Sequence, residues 1–210
     1  MKKIVSLLLA LYLPFMAVAA DYKEGKQYTK VAEKASNKTE VREYFSFYCP
    51  HCFRFEPFFA TLKKQLPEGV KFERNHVDFL RFTTPEIQYM LTKALVVAQQ
   101  LKMEEKLVGA LFNYIHVQKA TISSEKDIRN IYVLQGVDGE AFDKLMKSFS
   151  VNSQTKQMKK NQDEMTRKRA LTGVPAIIVN GKYRVNNDAL DKENFEQDYK
   201  NLVTYLLSLK

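Results

Sequence analysis

Hydrophobic periodicity switches between strand and helix in one particular order along this chain, and that order restricts the fold more than any other feature. Residues 41–47 (VREYFSF) are dominated by aromatic and β-branched types and read as a strand with Val41, Glu43, Phe45 and Phe47 on one face. Phe55, Phe58, Phe59, Leu62 and Leu66 then recur at helical spacing over 53–66, and Pro57 is expected to kink that helix. Pro67-Glu68-Gly69 ends it, and 70–77 is a second strand, so the segment is the strand–helix–strand unit of a parallel sheet.

From Thr83 the period is helical and stays so. Thr83 with Glu86 predicts a capping box for a helix carrying Ile87, Leu91, Ala94, Leu95, Ala98 and Leu101 on one face. Leu107, Leu111, Tyr114 and Ile115 mark the next helix, and Ser124 with Asp127 caps a third bearing Ile128, Ile131 and Tyr132. Asp138 starts a fourth with Phe142, Leu145, Met146 and Phe149, and short links between short helices predict a compact bundle. A polar helix over 153–171 leads out of it.

Two β-prone runs, 176–179 and 182–185, flank Asn180-Gly181, a strong hairpin signal because both turn residues must adopt positive φ. A last helix near 192–209 places Phe195, Tyr199, Leu202, Val203 and Leu206 together. The fold class is therefore α/β: one sheet interrupted by an all-helical insert.

Composition narrows what holds such a fold together. The 210 residues are 45% apolar and 27% charged, which excludes long disorder and low-complexity classes. Two cysteines supply neither a disulfide-rich scaffold nor the four thiolates of a closed zinc ribbon. Lys2 and Lys3 precede an apolar stretch over 4–19 that ends Ala17-Val18-Ala19, the small-x-small pattern of a signal-peptidase site. The stretch is shorter than the roughly 18 residues of a bilayer-spanning helix, and Pro14 weighs against an uncleaved anchor. A cleaved leader over 1–19 and export to a periplasm, where disulfides form, are expected.

Removing Lys2 and Lys3 leaves 31 basic against 24 acidic residues, a surplus of +7. Its densest run, 156–169, lacks the interleaved aromatic residues of a single-strand binder and reads as a solvated helix face, so no nucleic-acid partner is expected.

The chemistry-bearing motif is Cys49-Pro50-His51-Cys52, at the junction of strand and helix. That position puts one sulfur at a helix N-terminus, where unpaired N–H groups and the helix dipole favour thiolate over thiol, and the other within disulfide reach. Pro50 suits the first helical turn because its missing N–H would have had no partner there, and a protonated His51 would add positive charge beside Cys49. A stabilised thiolate makes the disulfide form an oxidant. An inert disulfide would close too short a loop to stabilise the chain much. A metal site would need more ligands than His51, His76 and His116 offer, so no metal and no cofactor is expected.

Two further features bear on this pair. Glu43 lies on the strand face of Val41 and Phe45; on a central strand it would be buried with a raised pKa fit for proton exchange with Cys52, whereas at a strand end it would reach water. Pro175, in Gly173-Val174-Pro175, precedes a hairpin strand and belongs at a strand start or in a cis turn.

Taken together, Cys49-Pro50-His51-Cys52 after Phe45-Ser46-Phe47-Tyr48, Thr172-Gly173-Val174-Pro175-Ala176, Val179-Asn180-Gly181-Lys182-Tyr183, Glu24-Gly25-Lys26-Gln27-Tyr28 and Leu66-Pro67-Glu68-Gly69-Val70 resemble the DsbA family of periplasmic thiol:disulfide oxidoreductases over nearly the whole chain after the leader. The resemblance implies a thioredoxin fold with an inserted helical domain, divided as 20–81, 82–155 and 156–210. It implies a redox disulfide between Cys49, the exposed attacking cysteine, and Cys52, its buried partner. It implies a cis Val174–Pro175 bond facing them that binds substrate, and Glu43 as the buried acid. Partners implied are reduced or unfolded exported proteins and a DsbB-like quinone-linked membrane oxidase, with the chain itself a monomer. A disulfide reductase or isomerase, or a binding or chaperone module with a non-catalytic pair, are the competing functions. Two departures stand out: Arg74 where the family usually has lysine, and Arg81-Phe82 where it has Gly-Gly. An arginine pairs with Glu43 but does not release its proton, which alters any Glu–Lys relay.

Overall fold

The computed structural model describes residues 22–209, so the expected leader over 1–19 lies outside the described residues. In chain order the elements are β1 (Tyr28–Lys30), β2 (Glu40–Phe45), α1 (Pro50–Gln65), β3 (Lys71–His76), α2 (Pro85–Gln100), α3 (Glu104–Phe112), a π-helical turn (Asn113–Val117), α4 (Glu125–Leu134), α5 (Gly139–Lys147), α6 (Phe149–Arg167), β4 (Ala176–Val179), β5 (Tyr183–Val185), a 3-10 turn (Asn187–Ala189) and α7 (Phe195–Ser208). The sheet runs β1-β5-β4-β2-β3, with β2 parallel to β3 and antiparallel to β4. The α/β class and the helical interruption of the sheet are as the periodicity implied.

Three apolar clusters hold the layers. Val41, Ile177 and Val179 of the sheet pack with Phe59 and Leu62 of α1 and with Tyr199, Leu202, Val203 and Leu206 of α7. Tyr44, Ala176 and Ile178 face the other way, onto Met165, Ala170 and Leu171. The third cluster is the core of the helical insert, and it continues without a break into Phe45, Phe47, Cys49 and Cys52. The insert therefore packs directly on the loop that carries both cysteines.

Local rules explain most of the element boundaries. Asn180 (φ 52°) and Gly181 (φ 62°) both take positive φ in the β4–β5 turn. The Ser124–Asp127 capping box forms, and the Asp138 side chain accepts from the Ala141 N–H. Elsewhere the structure corrects the sequence reading. The strand ends at Phe45 rather than Phe47, because the chain turns at once toward Cys49, whose N–H bonds the Ser46 carbonyl at 3.0 Å. Thr84, not Thr83, caps α2, since Pro85 occupies the first helical position and leaves Thr84 to accept from the Ile87 N–H. Phe149 is 88% exposed and starts α6 instead of closing the buried face of α5, because Ser148 caps a new helix there. That helix begins four residues before the expected start and ends at Arg167, with Ala170 and Leu171 buried in the loop beyond. Helix α6 runs continuously from the insert side of position 155 to Arg167. The short strand β1 had no sequence reading, and Tyr114 and Ile115, read as part of the helix of Leu107 and Leu111, lie in the π-helical turn that follows α3.

The hairpin turn supplies a direct check. Gly181→Ala is expected to lower unfolding stability by about 1 kcal/mol, because alanine is strained at this positive φ and its Cβ would stand 3.4 Å from the Ser36 Cβ. Gly109→Ala, with open space around it in α3, should instead raise stability by about 0.5–1 kcal/mol. Urea unfolding of both variants tests the pair.

Candidate active site

Strand β2 delivers the chain to the N-terminus of α1, and Cys49 is the residue that caps it. Its backbone is extended (φ −86°, ψ 113°), Pro50 takes the first helical position, and its Sγ accepts the Cys52 N–H at 3.2 Å. A sulfur thus sits where a Ser or Asp oxygen commonly caps a helix. Cys49 Sγ also donates to the Val174 carbonyl at 3.4 Å. The Val174–Pro175 peptide bond is cis, so the loop before β4 lies against the reactive sulfur.

Both cysteines are thiols in this structure, the reduced form of the pair. The resemblance implied an exposed Cys49; here the residue is 4% exposed and Cys52 is fully buried. Contact with the Val174 carbonyl and the insert's core covers Cys49 more than a free helix end would be covered. The two sulfurs differ in acidity. A hydrogen bond from the Cys52 thiol, backbone N–H groups of Cys52 and His51, and the nearby Arg54 cation hold Cys49 down to about 7 against the opposing effect of burial. Burial, together with the neighbouring Cys49 sulfur, pushes Cys52 far above the ordinary thiol range. The pair therefore holds one easily formed thiolate and one tightly held proton.

His51 is exposed, with Nδ1 2.8 Å from Arg54 Nη2. Guanidinium nitrogens only donate, so Nδ1 is the acceptor of this contact. The positive charge acting on Cys49 comes from Arg54, and His51 contributes its backbone N–H.

Glu43 stands on the central strand β2 and is 1% exposed, which decides between the two environments left open by the sequence. Parallel register sets it beside Arg74 on β3. Arg74 Nε lies 3.1 Å from Glu43 Oε2, without the alignment of a hydrogen bond. Arg74 Nη2 instead bonds both Glu56 carboxylate oxygens at 2.8 and 2.9 Å, while Arg74 Nε is 3.7 Å from Glu104 Oε1. Three carboxylates share one guanidinium. Burial pushes Glu43 up to about 8 in spite of Arg74, and Glu56 and Glu104 add to the rise. Glu56 is raised as well, first by burial.

The sequence reading missed four participants. Arg54 and Glu56 follow Cys52 by two and four residues, within the first turns of α1, and helical spacing from the motif could have found them. Glu104 comes from α3 of the insert and had no local signal. His116, on the π-helical turn, places Nε2 2.7 Å from the Phe47 carbonyl and stacks on Phe53 at 5.1 Å. The third histidine, His76, is buried neutral against Thr92, its pKa lowered to about 3 by desolvation. In the 79–82 segment, Phe79 and Leu80 pack inward and Phe82 is 64% exposed.

A family model described as the DSBA-like thioredoxin domain matches residues 40–200. The chain belongs to the DsbA family. Among its relatives, the thiol:disulfide interchange protein DsbA of Escherichia coli strain K12 is 41% identical and that of Yersinia pestis 38%, each aligned over the full length of both chains. Solved structures agree: DsbA from Proteus mirabilis superposes with a TM-score of 0.78 at 36% identity, covering 90% of this chain and 98% of that one. A Cys→Ser variant of the same protein, solved in complex with a non-covalently bound peptide, gives 0.81 at 35%, covering 90% and 100%. The fold is the thioredoxin-like fold of that family with its helical insertion, and the chain is a thiol:disulfide oxidoreductase.

The buried acid makes a stability prediction. Because the folded state raises Glu43 from 4.5 to about 8, folding holds this proton more tightly, and stability is lost as pH rises through that window. Glu43→Gln should therefore gain about 1–3 kcal/mol over the reduced wild type at pH 8 and little at pH 4, measured by denaturant unfolding.

Proposed function

We propose that this DsbA-family chain is a periplasmic dithiol oxidase that donates a Cys49–Cys52 disulfide to reduced, newly exported proteins. The observation that carries the reading is the placement of the two sulfurs in a chain of the DsbA family: Cys49 caps α1 and accepts the Cys52 N–H at 3.2 Å, while Cys52 is fully buried. A thiolate stabilised in the reduced form favours the dithiol and so makes the disulfide a ready acceptor of electrons.

The steps balance as follows. A substrate thiolate attacks Cys49 Sγ; the Cys49–Cys52 bond breaks, and Cys52 leaves with the electron pair. Cys52 takes up a proton, for which the protonated Glu43 carboxyl is the nearby buried store. The substrate's second thiolate then attacks its own sulfur in the mixed disulfide and expels Cys49 as the stabilised thiolate. Two electrons pass to the protein, and the substrate gains a disulfide. Val174 and Pro175 offer the backbone edge along which an extended substrate lies, and Pro50 and His51 complete the helix start that holds Cys49. That reading of the edge is supported by the Cys49 contact to Val174, and peptide binding as such by the cysteine-containing heptapeptide bound to the Proteus mirabilis relative.

Reoxidation by a DsbB-like quinone-linked membrane oxidase, a monomeric state, and a division into thioredoxin parts 20–81 and 156–210 around the insert 82–155 complete the proposal. Export is supported by the leader pattern over 1–19. No helix among the described residues is long and apolar enough to cross a membrane.

Oxidised protein mixed with reduced, unfolded ribonuclease should form disulfides in the substrate at the expense of its own. Cys49→Ser and Cys52→Ser, neither of which can hold the disulfide, should each abolish this. Absence of any gain by the wild type would refute the donor role. Equilibration with glutathione separates the reductase alternative: an oxidase is reduced by glutathione, whereas a potential as negative as thioredoxin's would reverse the direction of electron flow.

A further inference from the structure

A cavity of about 210 Å³ opens on the far side of the Val174–Pro175 edge. Its opposite wall is the end of β5 and the turn after it, with Arg184, Asn186, Asn187 and Asp188. The Arg184 Nε and Asn187 Oδ1 are both buried without a hydrogen-bond partner, and the Arg184 side chain makes no ion pair among the described residues. Buried guanidinium donors are ordinarily satisfied; Arg74 bonds Glu56 through Nη2 and has Glu43 and Glu104 beside it, although its Nη1 also lacks a partner. The carboxylate lining this cavity, Asp188, is exposed and leaves the buried Nε unpaired. Val174 is at once a wall of the cavity and the acceptor for Cys49 Sγ, so the partly exposed Arg184 side chain, with its unpartnered Nε, shares this cavity with the residue that touches the reacting sulfur.

We propose that this cavity is a side-chain subsite for the substrate polypeptide, selecting an acidic residue close in sequence to the reacting cysteine. The inference rests on the oxidase reading above. A peptide laid along the Val174–Pro175 edge turns alternate side chains toward this wall. A carboxylate there accepts from Arg184 in the charge-assisted geometry that suits a guanidinium, and the Asn187 amide, turned over, donates a further N–H. A lysine at the same place meets Arg184 as a like charge. The subsite thus adds a charge preference to an otherwise sequence-tolerant backbone contact.

The test uses the oxidised protein and matched dithiol peptides that differ only in Glu, Gln or Lys beside one cysteine, in separate series before and after it. Disulfide formation is followed by acid quench and mass spectrometry. In one series the Glu peptide should react about tenfold faster than the Lys peptide, with Gln between them and the ratio shrinking in high salt. Arg184→Gln should bring the ratio to about two or less, Arg184→Lys should keep much of it, and Asp188→Asn should raise it. Equal rates for all peptides, a faster Gln than Glu peptide, or a preference undiminished in Arg184→Gln would each overturn the subsite and leave the oxidase reading standing. Failure of the wild type to oxidise any of the peptides would overturn that reading and the subsite with it.

Discussion

The cap that Cys49 places on helix α1 is the contact on which the rest of this molecule depends. A helix N-terminus needs an acceptor for its first N–H groups, and here the acceptor is a sulfur that receives the Cys52 N–H at 3.2 Å. The same group that satisfies the helix is therefore the group that carries negative charge after exchange. The His51 N–H and the Arg54 cation act on that same atom, and Pro50 leaves the first helical position without an N–H to satisfy. Cys52, one turn along and fully buried, receives none of this help and keeps its proton.

The insert is built into this arrangement rather than appended to it. Its core runs from Leu91, Leu95 and Leu111 to Phe45, Phe47 and both cysteines, and Tyr132 anchors α4 to α2 through the Ala94 carbonyl at 2.8 Å. Two polar ties reinforce the packing near the reacting pair: His116 on the Phe47 carbonyl and Glu104 on Arg74. Beneath the cysteines the charge balance is uneven by design of the sheet. Parallel register sets Glu43 against Arg74, yet the hydrogen bonds of that arginine go to Glu56. Glu43 is left buried and short of donors, the condition under which a carboxyl keeps its proton at neutral pH.

What could be read from the sequence and what could not follow a physical division. The hairpin, the cap at Asp138 and the strand–helix–strand unit were legible because each is fixed by residues within a few positions of one another. The helix-capping role of Cys49 was legible for the same reason, since the motif stands where a strand becomes a helix. Glu43 was legible only as two alternatives, because burial on a strand depends on which strands lie beside it. Glu104 and the Arg184 cavity depend on contacts between segments distant in sequence, and no local pattern carries them. Phe149 misled because a helical period continued across Ser148, where a new cap in fact starts another helix. The Arg74 departure was visible at once, but its preference for Glu56 over Glu43 required the side chains in place.

One imbalance in acidity decides the account, and the ultraviolet absorbance of the thiolate reports it most directly. Titrating the reduced protein, with Cys49→Ser as reference, should reveal a single thiolate forming near pH 7 that is absent from the variant, while Cys52 stays protonated across the accessible range. Ionisation of Cys49 only near pH 9, at the value of an ordinary thiol, would contradict the account and remove the physical reason for this disulfide to be given away.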